Sequence, residues 1–450
     1  IISQGVAGEL LAGNLSAAEA LLKEEDAMTQ RLGGIHRAHY LHLFAWFLRL
    51  RGDHQKALEE GLRSNDLIAA AGGHLFGQGI NALVIAHALH ELGQLDGAAR
   101  YVEQSLEIGD RMRSDLLRFG AWVLTAKMAF DRNDAPAGLV ALKKALTIGE
   151  VRGLMQYPSC DRRLMAGLCA RALIAGIHVP FVLRMIQKHR FAAPLEARCL
   201  ETWPWPIKIY TLGRFEVLIN GQPLGKNRKT PHRLMELLIA IMTYGGAPVS
   251  AARLMDMLWP EADGDQAREN LKKSIARLRQ LLAVDDALCW QDGEISLNRT
   301  CCWVDAWAFE ACASTVEVRG VTGNASHDDQ DDPKAIALYR GPFLGWSEIP
   351  SWASSYQDQV RKQFIRLVTK HAHVPTDDQR EKLMTELANA IDLDPVAEPL
   401  YQKLIPLLLS ANRHAEAAAC YDRCRTELAR WAGRSVSVDL QKLAQTLRPR

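Results

Sequence analysis

The sequence predicts a mainly α-helical protein in three parts: a helical-repeat solenoid, a small domain of strands and three helices closed by a hairpin, and a second helical domain. Three observations carry this. Four turn signals recur at a near-constant period before residue 200. Helical spacing then stops at Trp203-Pro204-Trp205-Pro206 and gives way to β-rich runs. After Trp303 helical spacing returns, with one more copy of the turn signal.

Each signal is a Gly or Asn with a small residue five positions on: Gly13 and Ala18, Gly52 and Ala57, Gly93 and Ala98, Asn133 and Gly138. The starts lie 39, 41 and 40 residues apart. Self-similarity at such a period marks a solenoid. Each unit is expected to be two antiparallel helices brought close by the small residues. Residues 82–92 are rich in Leu and Ala at helical, not alternating, spacing. The pattern resembles the tetratricopeptide (TPR)-like repeats of MalT-type regulators. That resemblance implies sensing or relay by residues 1–200, with a partner protein or an effector as ligand. It also implies an ATP-binding signalling domain upstream of residue 1. The opening Ile1-Ile2-Ser3, without Met or a signal peptide, fits a piece of a longer protein.

Two prolines in the Trp-Pro-Trp-Pro stretch disfavour helix for themselves and for the residue before each, so a linker is expected there. Residues 207–212 and 215–219 are β-rich, and Asn220-Gly221 is a hairpin turn signal. Thr230-Pro231 reads as a cap with proline at the first helical position, and Gly245 ends that helix. Ser250 caps a second helix, which Pro260 stops. Asp265 is expected to cap a third helix, running to about Leu282. Cys289-Trp290 and residues 295–297 flank Gln291-Asp292-Gly293-Glu294, a second hairpin. Strands, three helices and a terminal hairpin make a winged helix-turn-helix of the OmpR/PhoB type, placed at 206–302.

The third helix carries the chemistry. Ala267, Leu271, Ile275, Leu278 and Leu282 share one stripe facing the domain. Asn270, Lys273, Ser274 and Arg277 form one exposed arc, and Arg268, Lys272 and Arg279 the other shoulder. An α-helix fits the major groove of DNA. Cations on its shoulders meet phosphates, which gives affinity without sequence choice. On the arc, Arg277 is placed for a bidentate contact with guanine and Asn270 for one with adenine. A merely solvated face with snorkelling cations has the same composition. The two preceding helices and the following hairpin favour DNA recognition.

Residues 206–307 resemble the DNA-binding domain of the antibiotic-regulatory-protein (SARP) class of bacterial activators. The resemblance rests on Arg228-Lys229-Thr230-Pro231, on Val249-Ser250 with Leu258-Trp259-Pro260, and on the run from Asn270 to Arg279. Residues 303–450 resemble the bacterial transcriptional activator domain that follows it. Here the matching stretches are 303–310, Leu338-Tyr339-Arg340-Gly341-Pro342-Phe343-Leu344, Asp392-Leu393-Asp394-Pro395 and Glu398-Pro399-Leu400-Tyr401. By resemblance, Arg277 and Arg279 take the Arg-Leu-Arg positions that meet DNA, with Ser274 one turn earlier. The stretch Gly433-Arg434-Ser435-Val436-Ser437 departs from the Gly-Val-Glu-Pro-Ser-like segment usual there. In OmpR/PhoB-type proteins the loop before the third helix can face RNA polymerase. Here it holds Glu261 and Asp263, acids that the DNA backbone would repel.

The chain of 450 residues suits about three domains. Its 48% hydrophobic and 24% charged residues suit a soluble globular protein. A net charge of +2 puts any nucleic-acid signal in local clustering. Nine scattered cysteines without a C-x-x-C pair suit a cytoplasmic protein. No apolar run is long enough for a membrane span. No cofactor, metal or catalytic constellation is expected. His36, His39 and His42 lie about a turn apart without acidic or Cys partners at helical spacing. Gly77-Gln78-Gly79-Ile80-Asn81-Ala82 matches a dinucleotide fingerprint without the preceding strand, so close helix packing is expected. Gly221 to Lys226 falls one residue short of a phosphate loop. Trp203, Trp205, Trp303 and Trp307 are expected to fill domain seams. The reading is a DNA-binding transcription activator with promoter DNA and RNA polymerase as partners. Its alternative is a TPR-type protein–protein scaffold with a structural winged helix.

Overall fold

The computed structural model describes residues 2–32, 34–224, 232–284, 286–321, 334–346, 349–370 and 377–445. It is mainly helical and forms two compact units, Ile1–Pro204 and Trp205–Arg450. The division falls inside the expected linker. Trp203 and Trp205 are only 2% and 3% exposed.

The first unit is a stack of helical hairpins: α1 (Ile2–Ala12) with α2 (Leu15–Leu32), α3 (Gly34–Leu50) with α4 (His54–Ala70), α5 (Leu75–Glu91) with α6 (Leu95–Met112), and α7 (Asp115–Asp131) with α8 (Ala135–Arg152). The four periodic signals are the four hairpin turns. Gly13, Gly52, Gly93 and Asn133 all have positive φ. The next N–H in each case reaches back to a carbonyl in the last turn: Asn14 to Glu9, Asp53 to Leu48, Gln94 to Leu89 and Asp134 to Ala129, at 2.9–3.0 Å. This is the six-residue closure of a Schellman cap, which glycine and asparagine tolerate best. The small residue five positions on lies in the hairpin seam. Ala18, Ala57 and Ala98 are fully buried, and a Cβ on Gly138 would sit 2.6 Å from the Phe130 ring. Residues of the dinucleotide-like stretch serve the same end, since a Cβ on Gly79 would lie 2.7 Å from Leu117.

The inner helices α3, α5 and α7 are buried on most sides, and buried polar side chains of α4, α5 and α6 bond to the backbone of the preceding helix. Ser64 Oγ donates to the Ala38 carbonyl at 2.8 Å, Asn81 to Gly61 at 2.8 Å, and Ser105 to Gly79 at 2.9 Å. After α8 the chain crosses back over the first hairpins. Trp46 Nε1 donates to the Cys160 carbonyl at 3.1 Å and Arg49 to that of Ser159 at 2.9 Å. Tyr157 Oη lies 2.8 Å from His87 Nε2. Helices α9 (Arg162–Ile174) and α10 (Val179–His189) follow.

The second unit begins with β1 (Ile207–Tyr210) and β2 (Glu216–Ile219), paired antiparallel. Asn220-Gly221, both at positive φ, turn the chain into β3 (Gln222–Pro223). Thr230-Pro231 and the Arg228-Lys229 pair lie outside the described residues. Next come α11 (His232–Met242), β4 (Val249–Ser250), α12 (Ala251–Leu258) and α13 (Gly264–Leu282). The hairpin of β5 (Leu288–Gln291) and β6 (Glu294–Leu297) follows. β6 also pairs with β4 through Val249 and Ile295. Ser250 caps α12 by accepting from Arg253 N at 3.3 Å. β7 (Cys302–Val304) joins β1 in parallel, so the first sheet runs β3-β2-β1-β7.

β7 leads into α14 (Asp305–Val321), and 205–450 packs as one body. Buried Asp305 accepts from Thr211 N at 2.7 Å, Thr211 Oγ1 at 2.6 Å and Leu212 N at 3.0 Å. Trp307 Nε1 donates to the Met242 carbonyl at the end of α11 at 3.0 Å. The Arg340-Gly341-Pro342-Phe343-Leu344 stretch crosses the β1–β2 turn so closely that a Cβ on Gly213 would strike the Arg340 carbonyl. Tyr339 and Arg361 converge on fully buried Asp394, both bonding Oδ2, at 2.8 and 2.7 Å. Further on, Asn412 repeats the positive-φ turn of the first unit, and Ala417 is fully buried. The divergent 433–437 stretch is held by buried Glu398, which accepts from Arg434 at 2.8 Å and from Ser437 N at 2.6 Å.

Candidate nucleic-acid interface

α13 lies on the middle domain with Ala267, Leu271, Ile275, Leu278 and Leu282 buried, the stripe read from the sequence. Its start differs from the expectation. The cap is Asp263, not Asp265: Asp263 is extended and its carboxylate accepts from Gln266 N at 2.8 Å. Gly264 adopts helical geometry here, so the helix begins before Asp265 rather than after Gly264. Asp265 sits in the first turn, where the positive end of the helix dipole favours an acid.

Arg268, Lys272 and Arg277 are exposed, and none has an ion-pair or hydrogen-bond partner among the described residues. Lys273, also exposed, pairs with Glu269 at 3.3 Å, an exposed contact of little energetic weight. Asn270 and Ser274 are half-buried on the flank of Arg277. Asn270 Oδ1 accepts from Gln266 at 3.0 Å, which orients the amide. Arg279 is exposed but tied: its Nη2 donates to the Leu288 carbonyl of β5 at 3.1 Å. It therefore links the helix to the wing, a role the sequence did not reveal. Nothing in residue spacing announces a bond to a strand nine positions away.

The wing turn is Asp292-Gly293, both at positive φ, and 291–294 are exposed. It holds Asp292 and Glu294 and no cation. Phosphates would be repelled there. Charge also changes sign along this region, with Glu261, Asp263 and Asp265 at the start and the cations after it. Glu261 is exposed, whereas Asp263 is occupied in capping. Another group missed by sequence reading is Arg299. It donates to the Gly245 carbonyl and lies 5.2 Å from the Trp307 ring centre, bracing the end of α11.

Residues 304–448 match the family described as Bacterial transcriptional activator domain. This segment is similar to that family. A search of curated proteins finds no match. Among solved structures, Mycobacterium tuberculosis EmbR in complex with a low-affinity phosphopeptide is 20% identical with a TM-score of 0.39. That match covers 54% of this chain and 65% of EmbR, less than two-thirds of its length. The TPR domain of P58(IPK) is 12% identical with a TM-score of 0.19, covering 98% of this chain and 95% of that one. The matched segment includes the Tyr339–Asp394–Arg361 cluster and the Glu398 anchor. The 339–344 stretch that grips the β1–β2 turn belongs to it as well. Among the described residues no group of His, Cys, Asp and Glu is arranged to hold a metal ion, and no helix is long and apolar enough to cross a membrane.

Proposed function

We propose that this protein is a sequence-specific DNA-binding transcription activator, with α13 reading the major groove and RNA polymerase as a partner. The observation that carries the reading is the face of α13. Its unpaired cations Arg268, Lys272 and Arg277 stand beside the oriented amide of Asn270, on the third helix of a winged domain that runs into a bacterial transcriptional activator domain. Unpaired cations at this density have phosphate as their natural counterpart. Arg277 and Asn270 supply the bidentate groups that distinguish guanine and adenine. Lys273, Ser274 and Arg279 complete the contact surface, Arg279 by holding the wing strand. The exposed Glu261, turned from DNA by its charge, is the candidate polymerase contact, with Asp263 beside it.

The test is selection from a random-sequence duplex library by the full chain. Enrichment of one shared motif, bound in a gel shift with steep salt dependence, is the expected outcome. The 205–450 unit alone should enrich the same motif, because α13 and its packing partners lie wholly within it. A folded chain that enriches nothing, or that binds all duplexes alike, would favour the scaffold reading.

A further inference from the structure

Cys301 and Cys302 are neighbours at the start of β7, and their Sγ atoms lie 3.9 Å apart. Cys301 is half-buried and Cys302 buried. Cys301 Sγ faces the carbonyls of Asn298 at 3.5 Å and Asp286 at 3.9 Å, and Cys302 Sγ that of Ala287 at 3.7 Å. The hydrogen bond with Cys302 holds the Cys301 thiol below its ordinary value, against burial and the Asp286 carboxylate. The same bond, together with burial, raises Cys302. Elsewhere burial pushes thiols up, Cys160 and Cys424 to about 12 and Cys420 to about 11. The thiolate is the reactive form, so nucleophilic reactivity is drawn to Cys301 over these.

An accessible thiolate with a second thiol in reach is the arrangement of a peroxide-sensitive cysteine. We propose that this pair is a modification site, at which a hydroperoxide oxidises Cys301 and Cys302 resolves the product as a disulfide. In the first step the Cys301 sulfur attacks the peroxide. The O–O bond breaks, an S–O bond forms, and the leaving oxygen takes the Cys301 proton and departs as water or an alcohol. In the second, the Cys302 sulfur displaces the sulfenic hydroxyl, which takes the Cys302 proton and departs as water. The two thiols give up two electrons, and one hydroperoxide is reduced. Neighbouring Cα atoms across a trans peptide lie about 3.8 Å apart, short of the roughly 4.4–6.8 Å usual for a disulfide. The bond is therefore strained and easily reduced, as a reversible modification requires. Forming it also turns the peptide between the two residues. The carbonyl of that peptide accepts from Ile207 N at 3.0 Å, and Cys302 pairs with Ile207 in the sheet. Oxidation thus loosens the start of the β1–β7 pairing.

The site is independent of the DNA reading and is tested without DNA. The reduced full chain is treated with hydrogen peroxide, with dimedone present to trap sulfenic acid, and its peptides are weighed by mass spectrometry. The natural chain should lose two hydrogens from the peptide holding Cys301 and Cys302, take up little dimedone there, and regain its starting mass with dithiothreitol. Cys302→Ser should form no such bond and should carry dimedone on Cys301. Cys301→Ser should carry none on Cys302. Circular dichroism shows which variants fold, and Cys302→Ala serves in place of Cys302→Ser if that one does not. In the oxidised natural chain the Ile207 amide should exchange its hydrogen roughly 2- to 10-fold faster, the worth of one backbone hydrogen bond. The proposal is overturned if the natural chain keeps both thiols free under peroxide, or if a folded Cys302 variant takes up no dimedone on Cys301. Equal dimedone uptake by the natural chain and that variant overturns the resolving role of Cys302. An Ile207 amide that exchanges alike before and after oxidation overturns the effect on the sheet.

Discussion

The inner helices of the repeats and α13 dispose of their polar groups in opposite ways. α3 and α5 bury most of their residues and turn Asn81, His42 and His87 inward, where Asn81 bonds to the Gly61 carbonyl and His87 to the Tyr157 hydroxyl. α13 buries one apolar stripe and leaves Arg268, Lys272 and Arg277 outside without partners among the described residues. A buried polar group has to be satisfied within the fold or by a ligand. An exposed cation costs the fold almost nothing and is available to a partner. The repeats should therefore be sensitive in stability and α13 sensitive in binding.

The largest effect should come from the repeats. Trp46 is fully buried and bonds the crossing segment. Trp46→Ala should cost about 3–5 kcal/mol in urea unfolding of the first unit. A loss under 1 kcal/mol would show that the crossing segment adds little to this unit.

On α13 the same kind of truncation should leave stability within about 0.5 kcal/mol. Arg277→Ala should instead cost roughly 1–3 kcal/mol of specific DNA binding and relax preference at one base position. Lys272→Ala should weaken binding to all sequences alike and lower the salt slope by about one. Equal, sequence-blind losses in anisotropy titrations would remove Arg277 from the base-reading role.

The start of α13 separates folding from function more finely. Asp263→Ala should cost about 0.5–2 kcal/mol as a lost cap, and Asp265→Ala only a few tenths. Asp263→Asn should restore most of the loss. Glu261→Ala, which touches no cap, should leave stability and promoter binding unchanged while reducing output in a reconstituted transcription assay. Transcription that falls only in step with binding would sink the polymerase contact.

The smallest effect is acid-dependent. Burial raises the Glu398 carboxyl, but the bonds from Ser437 and Arg434 outweigh it and hold it below the usual range. A depressed carboxyl adds stability above its unfolded value, near pH 4, and loses it as pH falls through the folded value. Glu398→Gln should thus be less stable than the natural chain at pH 7, with the gap closing below about pH 4. A pH-independent gap in chemical unfolding would mean that the carboxylate charge is not what holds 433–437.

Much of this was legible in the chain. Positive-φ turns demand Gly or Asn, and a seam without room for a side chain demands Ala or Gly, so a local signal with period near 40 residues announced the hairpins. The buried stripe of α13 and the Asp292-Gly293 wing turn were readable for the same reason: each is set by neighbours within a few residues. The cap of α13 was misplaced by two residues because glycine reads as a breaker, while Gly264 is helical in place.

Sequence alone therefore determined the repeats, the winged domain and the cationic helix, because turn chemistry and 3.6-residue periodicity are local. The tertiary structure decided what depends on residues far apart in the chain. Arg279 found the Leu288 carbonyl, Asp305 gathered the backbone of Thr211 and Leu212, and Glu398 took hold of Arg434 and Ser437. Residues 154–161 returned across more than a hundred positions to Trp46 and Arg49. Such pairings follow from how surfaces meet once helices have packed, and no spacing within a single element encodes them.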